Sequence, residues 1–358
     1  MKPRLDQLLA GYAEGDAISQ QAVMMRDIFR RWGHPSDIFT EPARVSPALR
    51  GDSRPLAEFS GGAADLVFHH YGLASSAAEA FAASAARKIL VYHNITPPEF
   101  FRGYDDVLAA GLATARAQVA DLARSCTAVW AVSQFDATDL AGLGFEQARV
   151  FPLLIPAQAG AAPDPALLAR LAAPALTTLL FVGRLAPNKR IEDLLEAYAC
   201  YRRLNPYSRL FIVGSERSCP RYSLMLRLLA RDLGAANVCF EGFATPAGLA
   251  AYYELADVFV SCSAHEGYGA PLVEAMRHGV PVIARDAGGT REALGGAGVM
   301  FADAQPVELA ALLYRISHDF TLRKTVLAAQ QYRLETLATR PVEAELSALL
   351  TGFVPPGP

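Results

Sequence analysis

Glu266 and Glu274 flank a glycine-rich turn that precedes a predicted helix, and the turn contains Gly267 and Gly269. Glycine lets a backbone bend closely around a ligand, and Pro271 suits the first turn of a helix. The N–H groups at such a helix start, together with the helix dipole, favour an anion such as a diphosphate. Because carboxylates would repel that phosphate, we expect both glutamates to accept hydrogen bonds from hydroxyls attached to it. The pattern therefore predicts a site for a nucleotide-sugar.

Two cations support this interpretation. Arg184 and Lys189 follow an apolar strand predicted at 179–182 and precede an amphipathic helix, so they lie at the mouth of a second strand-to-helix turn. At that position they can neutralise the phosphates. Each of the four charged residues also has an ordinary interpretation. The two cations are then surface charges, Glu274 is a solvated helix residue, and Glu266 is a charge near a helix N-terminus.

Four segments in the second half of the chain occur in a specific order and spacing. They are Gly183-Arg184 with Lys189, Phe240-Glu241-Gly242-Phe243, the stretch 266–276, and the stretch 279–284 with Gly288-Gly289. Together they resemble glycosyltransferase family 4, a large retaining family with the GT-B fold. The resemblance implies that the two cations hold the diphosphate of the donor, that Glu266 and the glycine turn contact the donor sugar, and that Glu274 binds the ribose. The donor-binding residues implied in this way are Gly183, Phe243, Gly267, Tyr268, Gly269, Ala270 and Glu274.

The alternation of apolar and helical segments along the chain agrees with the GT-B fold. From residue 177 onward, short apolar runs alternate with helical stretches, which indicates a parallel sheet wrapped by helices. The runs predicted as strands are 179–182, 210–213, 238–240, 258–260 and 280–284. Fainter strand signals in the first half, among them 66–68, 89–92 and 129–132, predict a second unit of the same kind. The predicted fold is α/β of the GT-B type, with two Rossmann-like parallel-sheet domains facing a central cleft.

A stretch rich in alanine, proline and glycine at 155–165 is typical of a linker between domains. It divides the chain into an N-terminal acceptor-side domain at 1–155 and a C-terminal nucleotide-sugar-binding domain at 156–340. The remaining segment, 341–358, has one apolar face. The resemblance to GT-B enzymes implies that this segment can cross back onto the first domain, although packing on its neighbour satisfies the pattern equally well.

His93 follows the strand predicted at 89–92, and the two prolines after it prevent an immediate helix. It therefore lies at the carboxyl edge of the sheet, where open α/β folds bind ligands. The resemblance implies that a histidine at this strand end lies close to the reacting sugar. A partly buried structural histidine is the alternative. The candidate catalytic residues are accordingly His93, Arg184, Lys189 and Glu266.

The acceptor side is less clearly marked in the sequence. Asp16 precedes an amphipathic helix that carries Ile28 and Phe29, and its side chain can either cap that helix or contact an acceptor. Members of the resembled family usually carry a glycine-rich turn here, after an apolar first strand. In this chain the stretch 4–10 is too polar to be predicted as a strand. The acceptor-side candidates are Gly15, Asp16 and Asn94.

Composition narrows the class of protein. The chain has 358 residues, 52% of them hydrophobic, which is enough for two domains with their own cores. With 33 basic and 36 acidic residues and a net charge of -3, a nucleic-acid partner is not expected. No apolar run suits a membrane helix and no signal-peptide core follows the N-terminus, so we expect a cytoplasmic protein; peripheral contact with the inner face of a membrane stays open. Five cysteines without a metal-type pair suit reduced thiols.

The predicted reaction is transfer of a hexosyl group, with mannosyl preferred, from a nucleoside diphosphate sugar to a hydroxyl, with retention of configuration as in the resembled family. GDP-hexose and UDP-hexose are both credible donors. The expected acceptor is a carbohydrate or lipid-linked glycan, in the synthesis of surface polysaccharide or a glycoconjugate. No metal ion and no cofactor is expected beyond the nucleotide-sugar co-substrate. The alternatives are a sugar-nucleotide epimerase and a non-catalytic protein that binds a nucleotide-sugar.

Overall fold

The computed structural model describes residues 2–155, 160–173 and 175–354. Part of the predicted linker, 156–159, lies outside the described residues, and so does the end of the predicted C-terminal segment, 355–358.

Strands and α-helices alternate from residue 66 to residue 318, as the order of apolar runs predicts. The strands are β1 Leu5–Leu9, β2 Ile38–Thr40, β3 Arg54–Pro55, β4 Leu66–Tyr71, β5 Arg87–Tyr92, β6 Ala128–Ala131, β7 Arg149–Val150, β8 Thr177–Val182, β9 Ser208–Val213, β10 Val238–Gly242, β11 Val258–Ser261, β12 Val282–Arg285 and β13 Val299–Phe301. The helices are α1 Ala17–Arg31, α2 Ser76–Ala83, α3 Asp106–Arg124, α4 Gln134–Gly142, α5 Pro165–Leu171, α6 Ile191–Leu204, α7 Pro220–Asp232, α8 Pro246–Leu255, α9 Ala270–Arg277, α10 Thr290–Leu294, α11 Pro306–His318, α12 Phe320–Ala338 and α13 Val342–Leu349.

The chain divides into two compact units, and each unit contains more than one segment of the chain. The first unit comprises Met1–Pro98, Val107–Pro156 and Arg340–Pro358. The second comprises Glu99–Asp106 and Ala157–Thr339. The short segment Glu99–Asp106 therefore groups with the second unit although it lies between two segments of the first.

The first unit is built on a sheet of seven parallel strands in the order β3-β2-β1-β4-β5-β6-β7. The strand order reverses between β1 and β4, which makes the carboxyl ends of these two strands a topological switch point. Open α/β sheets bind ligands at such points. Strand β7 has only two residues, but the N–H groups of Phe151 and Leu153 still donate to the carbonyl oxygens of Ala131 and Val132, so the chain after β7 stays beside the end of β6.

Strand β1 was not predicted, because its sequence is polar, yet all five of its residues are buried. The carboxylate of Asp6 accepts the backbone N–H of Asp37 at 2.9 Å and pairs with Arg4. The side-chain amide of Gln7 donates to the carbonyl oxygen of Ala22 at 2.8 Å. Because both polar side chains have partners, their burial in a central strand carries no unpaired-group penalty.

Helix α1 begins where the sequence predicts. Asp16 is its N-cap, and its Oδ2 accepts the backbone N–H of Ser19 at 2.9 Å. Ile28 and Phe29, two of the residues on the predicted apolar face, are buried. A side-chain cap of this kind satisfies one of the N–H groups that a helix start leaves without an intrahelical partner.

Helix α13 packs within the first unit although it is the last helix of the described chain. Trp32 Nε1 donates to Glu343 at 3.1 Å, and Arg31 forms an ion pair with the same carboxylate. Just before the helix, Arg340 Nη1 donates to the carbonyl oxygen of Pro152 at 2.9 Å. These contacts join the C-terminal segment to α1 and to the chain that follows β7.

The second unit is built on a sheet of six parallel strands in the order β10-β9-β8-β11-β12-β13. The apolar runs predicted as strands at 179–182, 210–213 and 258–260 are confirmed. The predicted apolar face of helix α6 is buried through Ile191, Leu194, Leu195 and Tyr198. Strand β13 at the edge was not predicted. The strand order reverses between β8 and β11, so this sheet also has a switch point.

None of the helices in the described part of the chain is long and apolar enough to cross a membrane. Within residues 2–155, 160–173 and 175–354, no group of three or more His, Cys, Asp and Glu side chains is arranged to hold a metal ion.

Candidate active site

Predicted donor residues from two loops of the second unit meet at the switch point of its sheet. Gly183 and Arg184 follow β8, and Glu266 and Gly267 follow β11, which is the neighbour of β8. The carboxyl ends of adjacent parallel strands meet at one edge, so two segments about eighty residues apart in sequence end side by side. The central contact is an ion pair, in which Lys189 Nζ lies 2.7 Å from Glu266 Oε1.

This ion pair is partly shielded from solvent. The side chains of Lys189 and Glu266 are 16% and 15% exposed. Both groups were predicted to act on the donor, the lysine on phosphate and the glutamate on sugar. The structure places them in direct contact, so a ligand that binds one of them also changes the environment of the other.

Asn188 links the loop after β8 to the loop after β11 by hydrogen bonds. It was not among the site residues predicted from the sequence. It belongs to a short 3-10 turn, Pro187–Lys189, and is 6% exposed. Its Nδ2 donates to the carbonyl oxygen of His265 at 3.1 Å, and its own carbonyl oxygen accepts the N–H of Ala264 at 2.9 Å. These two hydrogen bonds fix the residues next to Lys189 and Glu266. The only sequence signal for Asn188 is that it is a polar residue directly before Lys189, the cation predicted to bind phosphate.

Arg184 differs from Lys189 in its surroundings. Its side chain is exposed, and within the described part of the chain it has no hydrogen bond or ion pair. The backbone beside it is tightly packed, because a Cβ built on Gly214 would lie 1.8 Å from the carbonyl oxygen of Gly183. The glycine at 214 therefore lets the loop after β9 pass against the loop that carries Arg184.

The glycine-rich turn has the backbone that its sequence predicts. Gly269 has a φ of +93° and precedes Ala270, the first residue of helix α9. Pro271 lies in the first turn, and Gly279, with a φ of +68°, follows the helix end. Positive φ values of this size favour glycine strongly. Tyr268, inside the turn, is buried.

Gly288 and Gly289 pack against the backbone of this glycine-rich turn. The N–H of Gly289 donates to the carbonyl oxygen of Glu266 at 2.8 Å. A Cβ at Gly288 would lie 2.1 Å from that same oxygen, and one at Gly289 would lie 2.2 Å from the carbonyl oxygen of Gly267. The pair of glycines, noticed in the sequence as part of a motif, is thus explained by a backbone-to-backbone contact that no side chain can enter.

Glu274 lies on α9 beside a tyrosine that sequence reasoning missed. Tyr253 Oη donates to Glu274 Oε2 at 3.0 Å, and the tyrosine ring stacks on His278 with centroids 5.0 Å apart. Burial raises the pKa of the Glu274 carboxyl, and the hydrogen bond from Tyr253 opposes that shift. Glu274 is therefore not the solvated helix residue of the ordinary interpretation. Phe243, another donor candidate, follows β10 and is 71% exposed.

In the first unit, His93 is joined to two other side chains. His93 follows β5, and its Nε2 lies 2.9 Å from Nδ1 of His70 at the end of β4. Nε2 of His70 lies 2.9 Å from Oε1 of Gln7 in β1. His70 and Gln7 are buried, whereas His93 is partly exposed. Burial lowers the pKa of His93 to about 3 and that of His70 well below its ordinary value, so both rings are neutral.

The acceptor-side candidates are held within the first unit. Asn94 has a φ of +70°, and its Nδ2 donates to Asp136 Oδ1 at 2.9 Å. Gly15 has the same φ, with no atom near its missing side chain, and it precedes the Asp16 cap. For Asp16, capping is the role that the geometry shows.

The arrangement supports two kinds of chemistry. In the second unit, two cations, a buried carboxylate and a helix start can bind a phosphate with polyols on either side. In the first unit, a neutral imidazole can exchange hydrogen bonds with a hydroxyl.

Residues 177–319 match the family described as glycosyl transferases group 1. Among curated proteins, the D-inositol 3-phosphate glycosyltransferase of Thermomonospora curvata is 34% identical over 185 residues, which cover 49% of this chain and 42% of that protein. The O-antigen chain mannosyltransferase B of Escherichia coli is 28% identical over 171 residues, covering 46% of this chain and 44% of that protein. The chain thus spans less than half the length of these relatives.

Solved structures resemble the chain over nearly its whole length. HepE of Anabaena, in complex with UDP and glucose, has a TM-score of 0.74 and 20% identity, and covers 98% of this chain and 100% of its own. A sucrose-phosphate synthase of Thermosynechococcus elongatus has a TM-score of 0.76 and 19% identity, and covers 98% of both chains. With the two parallel sheets, these similarities confirm the predicted GT-B fold, and the family match confirms the resemblance stated for the second half.

Proposed function

We propose that this chain, a GT-B protein whose second unit carries a glycosyl transferases group 1 domain, is a retaining glycosyltransferase that uses a nucleoside diphosphate sugar. The observation that carries the proposal is the Lys189–Glu266 contact at the switch point of the second sheet, beside the glycine turn. Phosphate-binding and hydroxyl-binding groups occur there in one small region. Such a set suits a ligand in which a sugar and a diphosphate are joined.

In the proposed reaction the charge of the leaving nucleoside diphosphate develops as the glycosidic bond breaks. Arg184 and Lys189 neutralise it, and the N–H groups of the turn from Gly267 to Ala270 add hydrogen bonds from a fixed direction. Lys189 is already held by its ion pair with Glu266, and Asn188 fixes the backbone next to both residues, so these groups need little reorganisation when the charge appears. The departing phosphate helps to remove the proton of the acceptor hydroxyl, so no protein base is required.

The two glutamates have separate roles in this proposal. Glu266 orients the donor sugar by accepting a hydrogen bond from one of its hydroxyls. Glu274 binds the ribose, with Tyr253 holding one carboxylate oxygen at 3.0 Å so that the other faces the nucleotide. Phe243, exposed at the end of β10, offers an aromatic face to the base.

The donor and acceptor classes are supported by similarity alone. A relative of 28% identity is named an O-antigen chain mannosyltransferase, and a structural neighbour was solved with UDP and glucose. We propose a GDP-hexose or UDP-hexose donor, with mannosyl transfer preferred, and a carbohydrate or lipid-linked glycan acceptor in surface polysaccharide or glycoconjugate synthesis. An epimerase is not favoured by the family match.

The test is release of nucleoside diphosphate from GDP-mannose and UDP-glucose, with the sugar product identified by mass spectrometry. Arg184→Ala should abolish most turnover at saturating donor, because its guanidinium supports the leaving phosphate. The matched control is Arg203→Ala, an exposed arginine in the last turn of α6, at the opposite edge of the sheet, which should retain full turnover. Full turnover in Arg184→Ala would reject its phosphate role. Epimerised donor without transfer, or binding without turnover, would instead support one of the two alternatives.

A further inference from the structure

Gln7, His70 and His93 form a line of hydrogen bonds across three adjacent strands of the first sheet, from β1 through β4 to the end of β5. The line crosses the gap between β1 and β4, where the strand order reverses. It begins at two buried side chains and ends at a partly exposed ring. Its exposed end is therefore at the edge of the sheet where ligands bind.

The chemistry of the first member fixes the position of every proton along this line. Gln7 Nε2 donates to the carbonyl oxygen of Ala22 at 2.8 Å, so the other side-chain atom, Oε1, must face His70. An amide oxygen only accepts hydrogen bonds, so the proton of His70 is on Nε2. A neutral imidazole has one N–H, and Nδ1 of His70 is then an acceptor. Nε2 of His93 must therefore donate to it, at 2.9 Å, which leaves Nδ1 of His93 without a proton.

We propose that Gln7 and His70 are positioning residues that hold His93 in a single tautomer, with Nδ1 presenting a lone pair to a hydroxyl of the sugar substrate. This inference rests on the proposed function. It adds a direction to the contact, because the ring accepts a hydrogen bond from the hydroxyl and does not donate one. A ligand that offers only acceptors at this point, such as a carboxylate or phosphate oxygen, is disfavoured.

His69 shows that a buried histidine in this sheet does not by itself create such a line. Its Nδ1 lies 3.0 Å from the carbonyl oxygen of Leu8, and its Nε2 is buried without a partner among the described residues. It leads to no exposed group. In contrast, every nitrogen of His70 is used, and Nδ1 of His93 is the one position in the line that has no partner in the described chain.

The first experiment measures the tautomer without requiring catalysis. The full chain is labelled with 15N-histidine, and long-range 1H–15N correlation spectra report which imidazole nitrogen carries the proton. A His93→Gln variant identifies the signals of His93. We expect wild-type His93 to be protonated on Nε2 only, and Gln7→Leu to give a mixture of tautomers at His93, because His70 then has no acceptor that selects its Nε2–H.

Gln21→Leu is the matched control for this variant. Gln21 is equally buried and lies in the same unit, but its amide contacts Met25 and not the histidines. The control should leave the His93 tautomer as in wild type. If Gln7→Leu does not fold, Gln7→Met removes the acceptor with a side chain of closer shape. Wild-type His93 protonated on Nδ1, or an unchanged tautomer in a folded Gln7 variant, would overturn the inference.

The second experiment tests whether the line acts through His93. Gln7→Leu should lower kcat/KM for the donor about 3- to 10-fold, the size expected for one misdirected hydrogen bond, with an unchanged KM for the acceptor. The same substitution added to His93→Ala should have no further effect. A further loss in that background would show that Gln7 acts in another way, and would overturn the positioning role. If wild type transfers no sugar at all, the proposed function fails, while the tautomer result is still decided by the spectra.

Discussion

Lys189 Nζ lies 2.7 Å from Glu266 Oε1, so the cation predicted for the phosphate and the carboxylate predicted for the sugar are partners in one ion pair. The pair is partly buried, and its strands, β8 and β11, are neighbours at the switch point. A diphosphate that attracts the lysine would weaken its hold on the glutamate, which would then be available to a hydroxyl. In the proposed mechanism, phosphate binding and sugar binding are therefore coupled through this one ion pair.

Lys189→Met should weaken the binding of UDP or GDP by about 10- to 100-fold, since a hydrogen bond to a charged group contributes about 1.5–3 kcal/mol. Isothermal titration calorimetry with the nucleotide alone measures this. Lys324→Met, at an exposed lysine of helix α12, is the control and should bind as wild type does. Equal affinity in Lys189→Met and wild type would refute a phosphate contact for this lysine.

Glu274→Gln should stabilise the protein at neutral pH while it weakens nucleotide binding. Burial raises the pKa of Glu274, so the folded state binds a proton more readily than the unfolded chain does. Stability from this group is therefore present at low pH and is lost as pH rises through the raised pKa. Removing the charge should raise Tm more at about pH 8 than at about pH 5. Circular dichroism melts measure both values.

The control for that comparison is Glu335→Gln, at an exposed position of α12, whose Tm change should be small at both pH values. A Glu274→Gln protein that is less stable than wild type at neutral pH would contradict the burial argument. Unchanged nucleotide affinity would count against the ribose contact alone.

Gly289→Ala should destabilise the turn that carries Glu266, because the new Cβ would lie 2.2 Å from the carbonyl oxygen of Gly267. We expect a loss of about 1–3 kcal/mol in the free energy of unfolding, as for overpacked sites, and a larger loss of turnover. Urea denaturation and the donor-release assay measure the two effects. Gly111→Ala, within α3 and with no atom near its missing side chain, should retain both stability and turnover. A stable Gly289→Ala protein with wild-type turnover would show that this contact does not position the turn.

Activity should persist in the presence of EDTA. In the proposed mechanism Arg184, Lys189 and the N–H groups of the turn supply the positive charge that a metal ion supplies in many phosphate sites. The measurement compares donor release before and after dialysis against the chelator, with and without added Mg²⁺. A loss of turnover that Mg²⁺ restores would require a metal in the mechanism.

The sequence predicted those parts of the fold in which local pattern and final environment agree. The apolar runs of β8 and β11 are buried as expected, and the glycine turn after β11 has the positive φ that its residues favour. Strand β1 was missed because its polar side chains are satisfied by distant groups, Ala22 for Gln7 and Asp37 for Asp6. Local hydrophobicity cannot reveal partners of that kind.

The candidate active site was likewise predictable only in part: local sequence identified residues, but not their distant partners. The turns after two predicted strands and the family resemblance selected Lys189 and Glu266, but their mutual contact depends on β8 and β11 being neighbours, which the chain order does not reveal. The partners Tyr253 of Glu274 and Gln7 of His70 lie on other elements, 21 and 63 residues away. Contacts of this range are set by strand order and register, so they become visible only in three dimensions.

The packing of α13 on α1 has a consequence for the synthesis of the protein. A ribosome delivers the strands of the first unit early, yet Arg31 and Trp32 meet Glu343 only after more than three hundred further residues have been translated. Until the second unit has been synthesised, Arg31 and Trp32 therefore lack their carboxylate partner, and this part of the surface of the first unit is still incomplete.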